Sequence, residues 1–371
     1  MPDRRELLGQ ALTLAAGLPA LLAAPGAVAQ PALGPSLRIL ILGGTGFIGP
    51  HHVRYAVARG HRVSVFNRGK RQAELPASVE HLTGDRNGDL SAITGRDWDA
   101  VIDLPTTLPR WVRSVGQAVA ARTRHYSFIS SLAVYDNARQ LPLLDEDSPL
   151  QEYRGAADPF TLSSFNLDLY GPLKTLSERE AERQFPRKAL IVRPGLIVGP
   201  GDETDRFTYW PVRMQRGGEV LAPGDPLDPA QIIDVRDLAE FVIHMAERRE
   251  TGAYNGNGPA MPMSICEMLG GVRSLYSVPT KLTWAPSDWL AAQGVTMGDL
   301  PVWYPQAAAL ANRADVRRAV AKGLSFRPLA VTTRETMAWH EARPGAPRAL
   351  RGGLSPAREQ ELLAALRDRP M

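Results

Sequence analysis

The chain has 371 residues, 44% of them hydrophobic and 22% charged, which is ordinary for a globular α/β protein with a sizeable core. Its single cysteine, Cys266, excludes an internal disulfide and a cysteine-rich metal site, and reads as a small buried apolar residue. The net charge of +4 is unevenly placed: residues 343–371 hold a surplus of three and residues 1–29 none, so the body sits near +1 and offers no basic face for nucleic acid.

Residues 1–29 have the layout of an export signal. Arg4 and Arg5 precede a moderately apolar run from Leu12 to Ala24, and Ala27-Val28-Ala29 supplies a small-x-small cleavage site. Pro19 and Pro25 argue against a spanning helix, and the paired arginines favour the twin-arginine route.

The first strand is expected over Leu37–Leu42, interrupted only by Arg38. It runs into Gly43-Gly44-Thr45-Gly46-Phe47-Ile48-Gly49, and a helical pattern then reaches Arg59. A short apolar run, a glycine turn and an amphipathic helix open a βαβ dinucleotide-binding unit. The glycines allow a sharp turn close to a pyrophosphate, and the helix start offers unpaired N–H groups to the anion. His51 and His52 on that helix read as core or surface residues, not ligands.

Strand two, Arg62–Phe66, ends in Asn67-Arg68-Gly69-Lys70-Arg71. An acid here would bind the ribose 2′-hydroxyl of NAD. Three cations within four residues instead suit a 2′-phosphate, so NADP is the expected cofactor, with NAD as the alternative. A third strand at Val79–Leu82 leads to Gly84-Asp85-Arg86, and a fourth is Ala100–Leu104. A helix follows over Arg110–Ala121, and a fifth strand over His125–Ile129 runs into Ser130 and Ser131. This alternation predicts a doubly wound parallel sheet with its ligand at the carboxyl ends of the strands.

Tyr170-Gly171-Pro172-Leu173-Lys174 opens a helix reaching Gln184; Pro172 is tolerable only in the first turn, and the i, i+4 spacing puts phenol and ammonium on one face. Strand six, Ala189–Val192, precedes Arg193-Pro194-Gly195. Residues 37–200 form the expected nucleotide-binding domain and 201–342 a smaller C-terminal substrate lobe. Within that lobe 231–235 is assigned as an interleaved return strand, followed by a helix over Arg236–Glu247. Gly252–Pro262 reads as loop, with short helices after it. Residues 343–371 read as a basic linker and a terminal helix capped by Ser355. In the lobe, Arg206, Arg213 and Arg236 are candidates to meet a substrate anion, Arg206 first among them, and Trp210 to stack on a ring; Arg236 equally well serves to fix its helix start.

The glycine spacing Gly43-x-x-Gly46-x-x-Gly49, Asp85 after strand three, Ser131 four residues before Tyr135, and Tyr170-x-x-x-Lys174 occur in an order that resembles the extended short-chain dehydrogenase/reductases, over about residues 37–340. Asn67–Lys70, Gly84–Arg86 and Arg193–Asp202 are similar to the atypical branch near chloroplast stem-loop-binding proteins and bacterial epimerase-like reductases. The resemblance implies a Rossmann fold and a catalytic set of Ser131, Tyr170 and Lys174. Tyr170 would be the general acid/base, Lys174 would stabilise its phenolate and bind the nicotinamide ribose, and Ser131, with Ser130 as alternative, would polarise the substrate oxygen. It implies cofactor contacts from Gly43, Thr45, Gly46, Phe47, Ile48 and Gly49, and from Asn67, Arg68, Lys70, Asp85 (toward adenine), Arg86, Leu104, Tyr170, Lys174 and Pro194. A homodimer paired through helices is also implied.

An exported location and a nicotinamide cofactor are reconciled if the cofactor is retained and its hydride returned. The expected function is therefore an NADP-retaining epimerase or oxidoreductase acting at a secondary alcohol or ketone of a small, sugar-like substrate, in the periplasm or secreted. The alternatives are a cytoplasmic NAD(P)-dependent reductase of a small carbonyl, and a non-catalytic RNA-binding relative.

Overall fold

The computed structural model describes residues 34–104, 107–136, 143–165, 167–304, 313–343 and 349–369; the export-signal reading over 1–29 lies outside them. Ser36–Met371 is one compact unit.

Strand β1 (Arg38–Leu42) sits inside a seven-stranded sheet with β2 (Arg62–Asn67), β3 (Glu80–Thr83), β4 (Ala100–Asp103), β5 (Tyr126–Ile129), β6 (Ala189–Pro194) and β10 (Gly252–Gly256), in the order β10-β6-β5-β4-β1-β2-β3. Every pairing is parallel, with Ile39 opposite Val63 on one side and Ala100 on the other. Covered on both faces, β1 from Ile39 to Leu42 is fully buried, which is why it reads as a continuous apolar run rather than an alternation. Helix α1 (Gly49–Ala58) and α5 (Val235–Arg248) cover one face through Val53, Ala56, Leu238 and Phe241. Helices α2 (Pro109–Val119) and α3 (Tyr170–Gln184) cover the other through Val112, Val115, Ala181 and Phe185. The chain winds outward from β1 to β3, then returns to β4 on β1's far side. That reversal opens a crevice at the carboxyl ends of β1 and β4.

Two assignments change. Ile232–Asp234 (β9) does not return to the main sheet; it pairs with β7 (Leu196–Val198). The returning strand is Gly252–Gly256, beside β6, in a stretch that reads as loop. With two glycines it has little intrinsic strand preference and is held instead by tertiary bonds. Asn255 N donates to Glu146 Oε1 (2.9 Å), and the Asn255 amide donates to the carbonyls of Leu144 and Asp315.

The lobe has its own core around a parallel pair, β8 (Gly218–Pro223) and β11 (Thr280–Ala285), neither of which the sequence announced. Helices α4 (Tyr209–Arg216) and α6 (Ile265–Arg273) pack there with the terminal helix, Pro356–Arg367. Ser355 caps that last helix by accepting from Arg358 N (3.2 Å). Leu362 and Leu363 are buried in the lobe core, so the basic tail is part of the lobe rather than an appendage. Among the described residues no helix is long and apolar enough to cross a membrane.

Candidate active site

The glycines of the turn after β1 do three separate jobs. Gly43 has φ +90°, in the left-handed region, and donates its N–H to Phe66 O (3.0 Å). Gly49 packs against the turn itself: a Cβ there would lie 2.4 Å from Gly44 C. Gly46 faces open space, where an added Cβ would meet nothing nearer than Gly43 O at 3.9 Å. Helix α1 starts beyond it with no side-chain cap and no acid in its first turn. Open space beside unclaimed N–H groups is the cradle a dinucleotide pyrophosphate needs, so the turn fits the expected cofactor.

On one side of the turn lies a cleft of about 310 Å³. Gly43, Thr45 and Gly46 form its floor, Asn67, Arg68 and Lys70 one wall, and Asp85, Arg86 and Leu104 the other. Arg68 and Lys70 are exposed, while Asn67 Oδ1 accepts Gly69 N (2.8 Å) and so shapes their loop. Arg86 is committed to the fold, its Nη1 lying 2.6 Å from the fully buried Asp103 carboxylate. Asp85 also shapes its own loop, accepting Asn87 N on Oδ1 (2.9 Å). Trp111 and Asn87 line the cleft too, joined by an indole N–H donating to Asn87 Oδ1 (2.9 Å); no motif pointed to them.

On the other side, entered past Phe47 and Ile48, is a second cleft of about 550 Å³ that brings Ser130, Ser131, Tyr170, Lys174 and Pro194 together. The serines follow β5, Pro194 ends β6, and Tyr170 and Lys174 occupy the first turns of α3. Lys174 is buried; its Nζ donates to Ile129 O (2.8 Å) and lies 5.9 Å from the Tyr170 ring centre. Desolvation pulls its pKa down to about 7, against the opposing pull of Asp103 and Glu178. Burial raises the Tyr170 phenol, while a hydrogen bond with the Ser131 side chain and the nearby Arg206 charge act to lower it. Ser131 also accepts Ala133 N (3.1 Å), which fixes its rotamer. Ser130 is buried, and its hydroxyl has no hydrogen-bond partner among the described residues. Behind α3, Glu178 takes a bidentate bond from Arg193 (2.8 Å at the shorter), which also donates to Tyr135 Oη (3.0 Å). That buried network ties α3 to β6.

The lobe supplies Arg206, Met297 and Tyr304 to the same cleft. Of the lobe candidates, only Arg206 is brought to the site. Trp210 is fully buried with its Nε1 donating to Pro301 O (2.7 Å), and cannot stack on a ligand. Arg213 is buried too, spent on Glu359 (2.6 Å) and the carbonyls of Gly217 and Glu219. Arg236 fixes its helix start through Asp234, the α5 cap. Aromatic and basic residues near a predicted site are as readily the core of the lobe. His51 donates from Nε2 to Pro200 O (2.8 Å) and His52 is fully buried, so both are structural. Leu196, Ile197, Met297 and Tyr304 were missed as cleft-lining residues because nothing in their local sequence marks them.

The model of the NAD-dependent epimerase/dehydratase family matches residues 39–256. The chain belongs to this family. Its curated relatives include two reductases and an epimerase family protein. It is similar to chloroplast stem-loop binding protein of 41 kDa b from Arabidopsis thaliana, 27% identical over 239 residues, covering 60% of this chain and 58% of that protein's length. It is also similar to dTDP-4-dehydro-6-deoxy-D-allose reductase from a Streptomyces species, 27% identical over 290 residues, 67% of this chain and 84% of the relative. Human epimerase family protein SDR39U1, solved with NADPH, shares the fold with a TM-score of 0.53 at 20% identity, over 81% of this chain and 99% of that one.

Proposed function

We propose that this family member is an NADP-retaining oxidoreductase or epimerase that moves hydride at a secondary alcohol or ketone of a sugar-like substrate. The observation that carries the reading is the convergence of Ser131, Tyr170, Lys174 and Pro194 on one cleft that adjoins the glycine turn. Tyr170 takes the proton of the substrate hydroxyl as the carbonyl forms and gives it back on reduction. Lys174 and Arg206 favour the phenolate electrostatically. Ser131 donates to the substrate oxygen as charge develops on it. Bound nicotinamide supplies the acceptor and donor of hydride. Taking hydride from one face of the alcohol and returning it to the opposite face of the ketone would make the enzyme an epimerase with no net change in the cofactor; net reduction of a ketone would spend the hydride and require the cofactor to be exchanged.

Arg68 and Lys70 support NADP over NAD, as exposed cations where a 2′-phosphate would lie. The sugar-like substrate is supported by the Streptomyces relative's name. Export is supported by Arg4-Arg5 and Ala27-Val28-Ala29.

The test is purification of the protein from its native compartment with mass spectrometry of its N-terminus. Stoichiometric bound nicotinamide and a mature start after Ala29 are expected. Tyr170→Phe should retain the cofactor and lose about 10²–10⁴-fold in turnover. Full turnover in that variant defeats the mechanism, and an intact Met1 in a soluble cytoplasmic form defeats the export reading.

A further inference from the structure

We propose that Asp103 is a positioning residue for the reaction, a buried counter-ion that holds the Lys174 ammonium charged beside Tyr170 and divides its charge between Lys174 and Arg86. The inference rests on the hydride-transfer reading and deepens it, adding a residue outside the described lining of both clefts.

Asp103 is the last residue of β4, at the carboxyl end of the sheet where the crevice opens. Its backbone lies between Leu42, which precedes the glycine turn, and Phe128 of β5. Strand alternation puts its side chain on the face of Val101, the face covered by α2 and α3, where Tyr126 and Phe128 also pack. Lys174 reaches the same face from α3, its Nζ 5.0 Å from the centre of the Phe128 ring. Carboxylate and ammonium thus share one buried layer beneath α3.

A fully buried acid is strongly unfavourable unless its charge is answered and its oxygens are satisfied. Arg86 Nη1 stands 2.6 Å from one oxygen, and Tyr126 Oη donates to the other at 2.6 Å. The Tyr126 ring is stacked on Phe185 at the end of α3, with centroids 3.9 Å apart. Burial, reinforced by the Asp103 charge, holds the Tyr126 phenol well above its ordinary pKa, so it remains a donor. These contacts fix where the carboxylate points. Arg86 carries the far end of the same pair into the wall of the nucleotide cleft.

Desolvation is the largest influence on Lys174 and brings it down to about 7; Asp103 is the strongest attraction opposing that fall, Glu178 the next, and Arg86 adds to it. Glu178 stands one turn further along α3, but Arg193 of β6 engages both its oxygens. Tyr170, one turn earlier, is neutral until it gives up its proton. Asp103 is therefore the carboxylate on which the ammonium most depends, and through the ammonium it favours the Tyr170 phenolate.

NMR titration of the full-length holoprotein, labelled at the lysine Cε, tests this. The Lys174 resonance is identified by its loss in Lys174→Met. Asp103→Asn should lower the Lys174 midpoint by about one pH unit or more. Arg86→Gln, which removes the competing cation, should raise it. A merely structural role would not move the midpoint in opposite directions, and Arg86→Gln keeps the test open if Asp103→Asn does not fold. In turnover, the alkaline fall of kcat should move to lower pH in Asp103→Asn with KM little changed. An unmoved midpoint in either variant, or a fall in both, overturns the proposal. Tyr170→Phe is measured beside them. Full turnover there, with the expected Lys174 shifts, defeats the hydride reading and leaves the Asp103–Lys174 pair standing. An inactive Tyr170→Phe with unmoved midpoints strikes Asp103 alone.

Discussion

The two clefts that meet at the glycine turn are built by different means. In the cleft proposed for the nucleotide the backbone would do most of the binding, and consecutive residues suffice. Gly43, Gly46 and Gly49 set the turn, and Asn67 to Lys70 follow the very next strand. In the cleft proposed for the substrate, side chains would do the binding and arrive from α3, the loop after β7, and residues 297–304, held in place by a segment near residue 350. The first kind of site is carried by a short motif. The second exists only once the whole lobe has packed, so stability and function are coupled much more tightly there.

The largest expected effects lie in the lobe. Trp210→Ala should cost about 3–5 kcal/mol, because it empties a fully buried site and orphans Pro301 O. Chemical denaturation measures this; a stable variant with altered ligand affinity would return Trp210 to the binding surface. Glu359→Ala should cost about 3–5 kcal/mol by leaving Arg213 buried without its carboxylate. A stability like the parent's would mean that the terminal helix is dispensable to the lobe.

Lys174→Met should lose turnover and yet gain stability. The folded chain holds Lys174 near pH 7 against an ordinary 10.5, so between those values the unfolded chain binds more protons and stability rises with pH. The penalty is fully present below about 7, so the gain from Lys174→Met should be about 2–4 kcal/mol at neutral pH and shrink toward pH 10. A gain independent of pH would show that the ammonium is not strained by burial.

The glycine turn should separate fold from ligand. Gly49→Ala pushes a Cβ into Gly44 and should cost about 1–3 kcal/mol. Gly46→Ala should leave the melting temperature nearly unchanged while lowering nicotinamide affinity by about tenfold or more. Equal affinity in the parent and Gly46→Ala would place the pyrophosphate elsewhere. The smallest effect belongs to Arg68→Ala and Lys70→Ala, each expected to weaken NADP by about 1 kcal/mol, screened by salt, with NAD unaffected.

The same contrast explains what could be read in advance. Strands β1 to β6, the start of α3 at Tyr170 and the Ser355 cap were all legible because period, punctuation and capping act over a few residues. The return strand Gly252–Gly256 was not, since Asn255 is held by Glu146, Leu144 and Asp315, all distant in sequence. Trp210 and Arg213 were misplaced for a related reason. An indole or a guanidinium looks the same in a sequence whether it faces a ligand or a buried carbonyl. Arg206 was distinguished from Arg213 only by where the loop after β7 carries it.

Asp205 meets Arg343 and the Arg351 amide, and the lobe core closes over Leu362 and Leu363, far downstream of the last strand of the main sheet. During synthesis the main sheet has all its strands once Gly256 has emerged. The lobe core closes only once Leu362 and Leu363 have emerged as well. A nascent chain halted between Gly256 and Arg343 would therefore present the glycine turn proposed for the dinucleotide with no finished mouth above it.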